Sequence, residues 1–519
     1  MTKEYIVCLK RGVDYNQFWN EIENVSDTDG FVPSRRVDIV NNRDISLRQC
    51  HYALTDEEAE FLKNDPRVYS VEQPTKFQPF TLGGYTGDFT KTTSDSGNYI
   101  NWGLKRCISD TNNYGTGTTV TGDYTFCLDG TNVDVVIQDS GIQADHPEFT
   151  DANGVSRLQQ IDWFAASGVA GTMPANHYTD THGHGTHVAG ISAGKTFGWA
   201  RNAKIYAVKV NGLSSTTGIE PSTGDAFDVI IGWHNNKTVD PVTGKKRPTI
   251  VNMSWGYGDY YSGINGGSYR GTPWTGVDRH TEYGMTGAYY FPAGYRHPVR
   301  VSYIDVSIQE MIDAGIHVCI AAGNAYHKID VPGGDDYNNY YVGGYFNGAS
   351  ANYYHRGSSP YDDEAFIVGS IDSTSRNSTT DQKSLFSESG PGVNIWAPGS
   401  DIMSSASNLG GSIGTTSAYR GTSYVQANIS GTSMASPQVC GIGALYLQMY
   451  PDYTPAQLKE LIISNSKPVI YDTGLDNDYT DDRSIKGSQN RFVYLPNSAT
   501  QAYQATGGIT LKNLNFKKR

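Results

Sequence analysis

The amino-acid sequence predicts an α/β protein, with a mostly parallel sheet covered by helices on both faces and a small α+β domain in front of it. Two observations carry this prediction. Between residues 101 and 496, short continuous apolar runs alternate with helix-like segments, which is typical of strands buried on both faces of a parallel sheet. Residues 1–73 differ, because their strand-like and helix-like segments follow the order βαββαβ.

The N-terminal domain, residues 1–73, is predicted to contain four strands and two helices. Thr55 precedes three acidic residues, and this pattern favours a helix start, with Thr55 as the cap. The stretch 74–100 has no periodicity and is rich in Gly, Thr, Ser and Asp, so we expect a linker. The predicted strands are Glu4–Leu9, Ser34–Val40, Ile45–Ala53 and Arg67–Glu72, and the predicted helices are Asn16–Asn24 and Asp56–Asn64.

The larger domain, residues 101–496, has apolar strand-like runs that end near Gly, Asp, Ser or Asn. The predicted strands are Val133–Gln138, Lys204–Val210, Thr249–Trp255, Ile316–Ala321, Ala365–Ile371 and Val393–Trp396. The predicted helices are Thr186–Ala193, Ala226–His234, Ile304–Ala314 and Thr454–Ser464.

Two segments interrupt this pattern, near residues 256–300 and 326–363, and both are rich in Gly, Tyr, Asn and His. We expect surface insertions there. They are either long ordered loops or elements that restrict access to a site or bind a partner. Residues 497–519 end in Lys-Lys-Arg and are expected to form a solvated C-terminal tail.

Composition excludes several classes of function. The net charge of −13 argues against a nucleic-acid partner and against binding to anionic membranes. The sequence has no apolar run near the roughly 18 residues that a membrane span needs, so we expect no membrane partner. A secretory signal is not visible at the start of this sequence. We therefore expect a cytoplasmic or virus-associated protein, unless a signal was trimmed or the protein leaves by another route.

The six cysteines match no metal-binding spacing. Cys319 and Cys440 lie in apolar runs and are expected in the core. Cys107 and Cys127 flank a turn-rich stretch, and the sequence leaves open whether they form a disulfide or stay reduced.

Four short motifs follow one another along the larger domain. Asp139 ends an apolar strand, His184 lies in a Gly-rich run at a helix start, Asn324 follows an Ala-Ala-Gly turn, and Ser433 lies in Gly-Thr-Ser-Met-Ala-Ser-Pro. A carboxylate can orient an imidazole, and a serine at a helix N-terminus lies where developing negative charge is favoured. An asparagine side chain can donate to the same oxygen. Together these residue types supply a nucleophile, a base, an orienting group and an oxyanion donor.

Each motif also has a simpler structural interpretation. Asp139 alone could cap a turn, and Asn324 alone could cap a strand end. His182 and His187 flank His184, but no supporting carboxylate motif accompanies them, so the run does not predict a zinc site. We expect His187 to be a packed structural residue.

In this chain order, the motifs resemble those of the subtilase family of subtilisin- and proteinase K-like serine peptidases. The resemblance covers roughly residues 101–470, apart from the insertions. Further similar segments are Trp102–Leu104, Phe197–Ala200, Phe386–Ser387 and Ala397–Gly399.

The resemblance implies a serine endopeptidase acting on protein or peptide substrates. In it, Asp139, His184 and Ser433 would form the triad, and Asn324 would contribute to the oxyanion hole. Ser254, Trp255 and Gly256 match the strand that pairs with the substrate backbone. Trp255 replaces the family's usual leucine, which leaves the side-chain preference at P1, the residue before the cut, open.

Residues 1–73 resemble the family's inhibitor-type propeptide, which implies a precursor that blocks its own cleft until it is cut. We expect that cut between Phe80 and Asn101. No cofactor is required, although Asp372 matches a calcium-binding position of the family. A solvated acidic loop is the alternative there.

Two other hypotheses belong to different classes. The first is a catalytically silent or locked structural or assembly protein, virus-encoded, that keeps this fold. The second is an inhibitor of another protease, acting through residues 1–73.

Overall fold

The computed structural model describes residues 2–10, 12–24, 37–41, 49–72, 101–112, 128–174, 176–210, 225–239, 244–261, 264–275, 295–343, 351–372, 380–410, 413–474 and 483–496. The chain divides into two compact units, Met1–Thr81 and Leu82–Arg519. Cys127 and the predicted cleavage segment lie outside the described residues, and so does the predicted C-terminal tail.

The first unit is a four-stranded antiparallel sheet with two helices. Its elements are β1 (Lys3–Leu9), α1 (Tyr15–Asn24), β2 (Asp38–Asn41), β3 (Gln49–Leu54), α2 (Asp56–Lys63) and β4 (Val68–Glu72). The strand order β2-β3-β1-β4 places β1 in the interior of the sheet. The α2 helix begins with a capping box, in which Thr55 and Glu58 each bond to the other's backbone N–H. Val7, Phe18 and Tyr52 belong to a separate apolar core. The order of these strands and helices confirms the predicted βαββαβ arrangement.

The second unit contains the remaining elements. Its helices are α3 (Gly103–Arg106), α4 (Trp163–Ser167), α5 (His184–Ala193), α6 (Asp225–Asn236), α7 (Ser302–Asp313), α8 (Thr432–Met449) and α9 (Pro455–Asn465). Its strands are β5 (Asp134–Asp139), β6 (Lys204–Lys209), β7 (Thr249–Met253), β8 (Gly258–Tyr261), β9 (Gly266–Tyr269), β10 (Thr272–Thr275), β11 (Tyr295–Pro298), β12 (His317–Ala321), β13 (Tyr340–Val342), β14 (Ala351–Tyr353), β15 (Phe366–Asp372), β16 (Gln382–Lys383), β17 (Ile395–Pro398), β18 (Ile402–Ala406), β19 (Thr415–Ala418) and β20 (Val425–Ile429).

A seven-stranded sheet forms the centre of this unit. Its order is β16-β15-β12-β7-β5-β6, with β17 also paired to β15. All of its pairings are parallel except the one between β15 and β16. Every residue of β5, β7, β12 and β15 is buried, so both faces of the sheet are covered. The predicted α/β class is therefore confirmed.

The sheet brings three motifs to one edge. Strands β5, β7 and β12 are neighbours and run parallel, so their carboxyl ends lie side by side. Asp139 ends β5, Ser254 follows β7, and Asn324 lies three residues after β12. The α8 helix packs against these strands and presents Ser433 in its first turn.

Long ordered loops were one of the two alternatives expected for the insertions. Both insertions instead contain strands. Within them, β8 pairs with β11, and β9, β10, β13 and β14 form a four-stranded antiparallel sheet. The β9–β13 pairing joins the first insertion to the second. Trp274, Tyr341 and Tyr354 form a small apolar core in this sheet, which we call the insertion sheet. The sequence did not indicate these strands.

A further sheet of the second unit, in the order β18-β20-β19, packs against α5 through β18. None of its three strands was predicted from the sequence. Along the described part of the chain, no helix combines the length and apolar character needed to cross a membrane.

Candidate active site

Asp139 and His184 are joined by a hydrogen bond at the edge of the central sheet. His184 Nδ1 lies 2.8 Å from Asp139 Oδ1, and Asp139 is 2 % exposed. A carboxylate only accepts hydrogen bonds, so His184 carries its proton on Nδ1 and leaves a lone pair on Nε2. The same Asp139 oxygen accepts the backbone N–H of Ser140 at 2.7 Å. The strand end therefore holds one tautomer of the imidazole.

The first turn of α5 is held by Asp180, a residue that we did not identify from the sequence. Its carboxylate accepts the backbone N–H groups of His182, Gly183 and Thr186 at 2.7–3.1 Å. The hydroxyl groups of Ser140 and Thr186 also donate to it. An anion at a helix N-terminus is stabilised by the helix dipole. Asp180 thus ties the helix that carries His184 to the strand end that carries Asp139.

Replacing Asp180 with asparagine removes a charge that five donors share. We expect the free energy of unfolding to fall by about 2–4 kcal/mol, because buried donors lose a charged acceptor. We also expect the pKa of His184 to fall, because the Asp180 charge raises it. Urea unfolding and the pH dependence of kcat/KM measure the two effects. Asp228→Asn on the exposed side of α6 is the matched control, and equal effects in both variants would contradict this role.

Ser433 and Ser254 bond to each other across the site. Ser433 Oγ donates to the Ser254 carbonyl oxygen at 3.1 Å, and Ser254 Oγ donates to the Ser433 carbonyl oxygen at 3.0 Å. Asn252 Nδ2 donates to Ser254 Oγ at 2.8 Å, and Ser436 Oγ donates to Asn252 Oδ1 at 2.8 Å. The start of α8 is therefore fixed to the end of β7, and the Ser433 hydroxyl is directed at a backbone carbonyl rather than at His184.

Asn324 is oriented by Thr432, the residue before Ser433. Asn324 Oδ1 accepts the Thr432 backbone N–H at 2.9 Å and the Thr432 hydroxyl at 2.8 Å. With its oxygen held, the amide presents Nδ2 as a donor. The Thr432 hydroxyl also accepts the Gly323 N–H at 3.1 Å, which ties the loop after β12 to the start of α8.

A cleft of about 390 Å³ brings the predicted site residues together. Asp139 lies behind His184 and does not line it. The cleft is lined by His184, Asn324, Ser433 and the three residues Ser254, Trp255 and Gly256.

The cleft also has aromatic walls. The Trp255 ring lies 5.8 Å from the Tyr257 ring and 6.4 Å from the Phe227 ring. His297, from β11, lines the same cleft and bonds to the hydroxyl of Tyr341 at 2.7 Å. The insertion sheet is thus attached directly to one wall of the cleft.

The two histidines of α5 differ in basicity. Burial lowers the pKa of His184, but the Asp139 charge and hydrogen bond and the Asp180 charge outweigh it, so the pKa lies above the usual value. Burial lowers the pKa of His187 to about 3, and its Nε2 contacts the Ala427 carbonyl oxygen at 3.0 Å. His187 therefore stays neutral and packs in the core, as expected.

Asp372, the predicted calcium residue, lies away from the cleft at the end of β15. Its carboxylate is buried and faces Arg483, with Nη1 and Oδ2 3.3 Å apart. A guanidinium takes the place that a cation would need, so the neighbours that the structure places around Asp372 do not fit calcium. No group of three or more His, Cys, Asp or Glu able to hold a metal occurs within the described ranges. The calcium assignment stays a prediction.

Comparison with known proteins gives the family. Residues 130–494 match the subtilase (peptidase S8) family model, so the chain belongs to the subtilase family. It is 25 % identical over 425 residues to an extracellular serine proteinase of Thermus sp. (strain Rt41A), covering 82 % of this chain and 72 % of that protein. It is 27 % identical over 429 residues to a subtilisin-like serine protease of Cochliobolus lunatus, covering 79 % and 62 %.

A solved structure of a cold-adapted subtilisin-like serine proteinase aligns with a TM-score of 0.45 and 24 % identity, covering 77 % of this chain and 98 % of that one. The family match and the two serine protease relatives, from Thermus and Cochliobolus, make the protein a subtilisin-like serine endopeptidase. The sequence had predicted that class.

Several residues of the site were missed from the sequence. Asp180 precedes His184 by four positions, and an acid ahead of a helix start is a signal that could have identified it. Thr432 stood inside a recognised motif without an assigned role. His297 and Glu388 line the cleft, but they lie far from the motifs in sequence and gave no local signal.

Proposed function

We propose that this endopeptidase cleaves peptide bonds through Asp139, His184 and Ser433, with Asn324 as an oxyanion donor. The observation that carries the proposal is the 2.8 Å bond between His184 Nδ1 and a buried Asp139. That bond leaves Nε2 as a base in the cleft that Ser433 also lines.

The chemistry follows from these positions. Ser433 Oγ attacks the peptide carbonyl carbon while His184 Nε2 accepts the hydroxyl proton. The negative charge on the carbonyl oxygen is stabilised by Asn324 Nδ2 and the Ser433 backbone N–H. His184 then gives its proton to the leaving amine as the C–N bond breaks. Water repeats the sequence on the acyl-enzyme and restores Ser433.

The resting hydroxyl must turn before it reacts. In the structure Ser433 donates to the Ser254 carbonyl, so rotation about one side-chain bond has to redirect it to His184. We propose that the backbone of Ser254–Gly256 pairs with an extended substrate. A Cβ at Gly256 would meet Ser358 Oγ at 2.7 Å, so this end of the segment packs closely against Ser358.

The pH dependence of kcat/KM should show a single rise on the acidic side, which follows the loss of a proton from His184. Only the neutral imidazole can accept the Ser433 proton, and its pKa lies above the usual value of about 6.5. We therefore expect kcat/KM to rise with pH through a pKa higher than that of a free histidine. Initial rates on one peptide across pH 5–10 measure this rise, and a midpoint at or below 6 would contradict this assignment.

The direct test of the proposal is covalent labelling. The full chain is incubated with a serine-directed phosphonylating reagent and digested, and the modified peptide is identified by mass spectrometry. Modification at Ser433 alone, abolished by prior denaturation, is the expected result. An unlabelled Ser433 in protein freed of residues 1–73 would overturn the proposal in favour of a catalytically silent scaffold.

We further propose that the enzyme is made as a self-inhibited precursor and that residues 1–73 are its inhibitor-type domain. Two observations support this. The first unit has a core of its own, and the family match begins only at residue 130. On this proposal the first unit, added as a separate polypeptide, inhibits the mature enzyme.

A further inference from the structure

One acidic side chain, Glu388, lines the cleft. Among the lining residues that the structure describes, it is the one carboxylate, and no lysine or arginine lines the cleft. Glu388 is only 1 % exposed. The Coulomb attraction between a substrate cation and this carboxylate is stronger where water is excluded than at the protein surface.

Glu388 lies against the residue that precedes Asn324. Its backbone N–H donates to the Gly323 carbonyl oxygen at 3.0 Å. A Cβ built on Gly323 would lie 2.6 Å from the Glu388 carboxyl carbon, and Gly323 has a φ of +123°. The absence of a side chain at Gly323 is what lets the carboxylate approach. The Glu388 carboxylate therefore lies against Gly323, the residue that precedes Asn324. The side-chain amide of Asn324 is the group assigned to the scissile carbonyl.

The P1 side chain must start in this neighbourhood. It branches from the carbon bonded to the scissile carbonyl, and that carbonyl oxygen lies at Asn324 in the proposed mechanism. The rings of Trp255 and Tyr257 line the same cleft. Arginine and lysine carry an apolar stem, which packs against aromatic rings, and a terminal cation that suits a carboxylate.

We propose that Glu388, together with Trp255 and Tyr257, selects arginine or lysine at P1. This inference rests on the proposed function, because it uses Ser433 and Asn324 to place the scissile bond. The chain's net charge of −13 acts in the same direction, since it attracts basic polypeptides.

Two lysines bond to backbone carbonyls near Glu388 in the chain or on the cleft lining, and neither lysine lines the cleft itself. Lys383 Nζ donates to the carbonyl oxygens of Leu385 and Ser387 at 3.1 Å, and Lys486 Nζ donates to that of Tyr326 at 3.4 Å. Both lysines bring positive charge close to the loop that holds Glu388, so replacing Glu388 with a neutral residue makes the charge near this part of the cleft more positive.

The experiment measures kcat/KM on peptides that differ only at P1: arginine, lysine, citrulline and leucine. Citrulline has the shape of arginine without its charge. The protein is the full chain after its own maturation, as wild type, Glu388→Gln and Glu364→Gln. Glu364 is an exposed acid outside the cleft and serves as the matched control. Ser433 labelling and thermal unfolding confirm that each variant is folded.

We expect wild type and Glu364→Gln to prefer arginine over citrulline by at least about tenfold. In Glu388→Gln this ratio should fall by about tenfold or more. An arginine-to-citrulline ratio near one in wild type overturns the inference, even if the variant does not fold. An arginine-to-citrulline ratio that is the same in Glu388→Gln as in wild type also overturns the inference. If Ser433 is not labelled and no peptide is cut, the proposed function fails instead.

Discussion

Replacing Ser433 with alanine is expected to abolish peptide hydrolysis, lowering kcat by at least about 10⁴-fold, because no other group can form the acyl intermediate. The variant should also keep its full length. The wild type should lose about 8–11 kDa, the mass of the first 73–100 residues of this 56.7-kDa chain. Intact mass and N-terminal sequencing of the two proteins, expressed side by side, measure both results.

Ser436→Ala, in the same helix but directed at Asn252, is the control for damage to α8. It should mature and cleave peptides, with some loss of stability. If Ser433→Ala matured like the wild type, another protease would be making the cut. If wild type and Ser433→Ala both stayed at full length, the chain would be locked or silent.

Replacing Asp139 with asparagine is expected to lower kcat by about 10⁴-fold while changing KM little. An asparagine amide donates where the carboxylate accepts. It would therefore stabilise the imidazole with its proton on Nε2, where a lone pair is needed. The variant also loses the charge that raises the pKa of His184. We expect the acidic limb of the residual activity to move to lower pH.

Steady-state kinetics between pH 5 and 10 test this prediction, with the exposed Asp452→Asn as control. A loss below tenfold at neutral pH would show that Asp139 does not orient the base. A limb that moved to higher pH would contradict the electrostatic account of His184.

The central sheet and the residues at its edge could be predicted from the sequence, because each strand and each motif is a short continuous segment of the chain. Strands β5, β6, β7, β12 and β15 are short, largely apolar runs, and Asp139, His184, Asn324 and Ser433 each lie in a short motif. Parallel neighbours then bring those motifs to one edge of the sheet.

The parts that were not predicted depend on partners distant in sequence. Strands β9 and β13 are three or four residues long and rich in Gly and Tyr, so neither has a periodicity that would predict it. Each pairs with the other and with one further strand of the insertion sheet. Glu388 is likewise an ordinary acid in sequence, and only the fold places it behind Gly323.

The insertion sheet limits how this enzyme could be shortened by deleting part of the chain. Its interior strands, β9 and β13, come from segments separated by the stretch that contains α7, β12 and Asn324. Deleting either segment alone would remove one of the two hydrogen-bonding neighbours of the interior strand that remains, and would uncover Trp274 or Tyr341. The two insertions thus form a single structural module, to be exchanged or removed together.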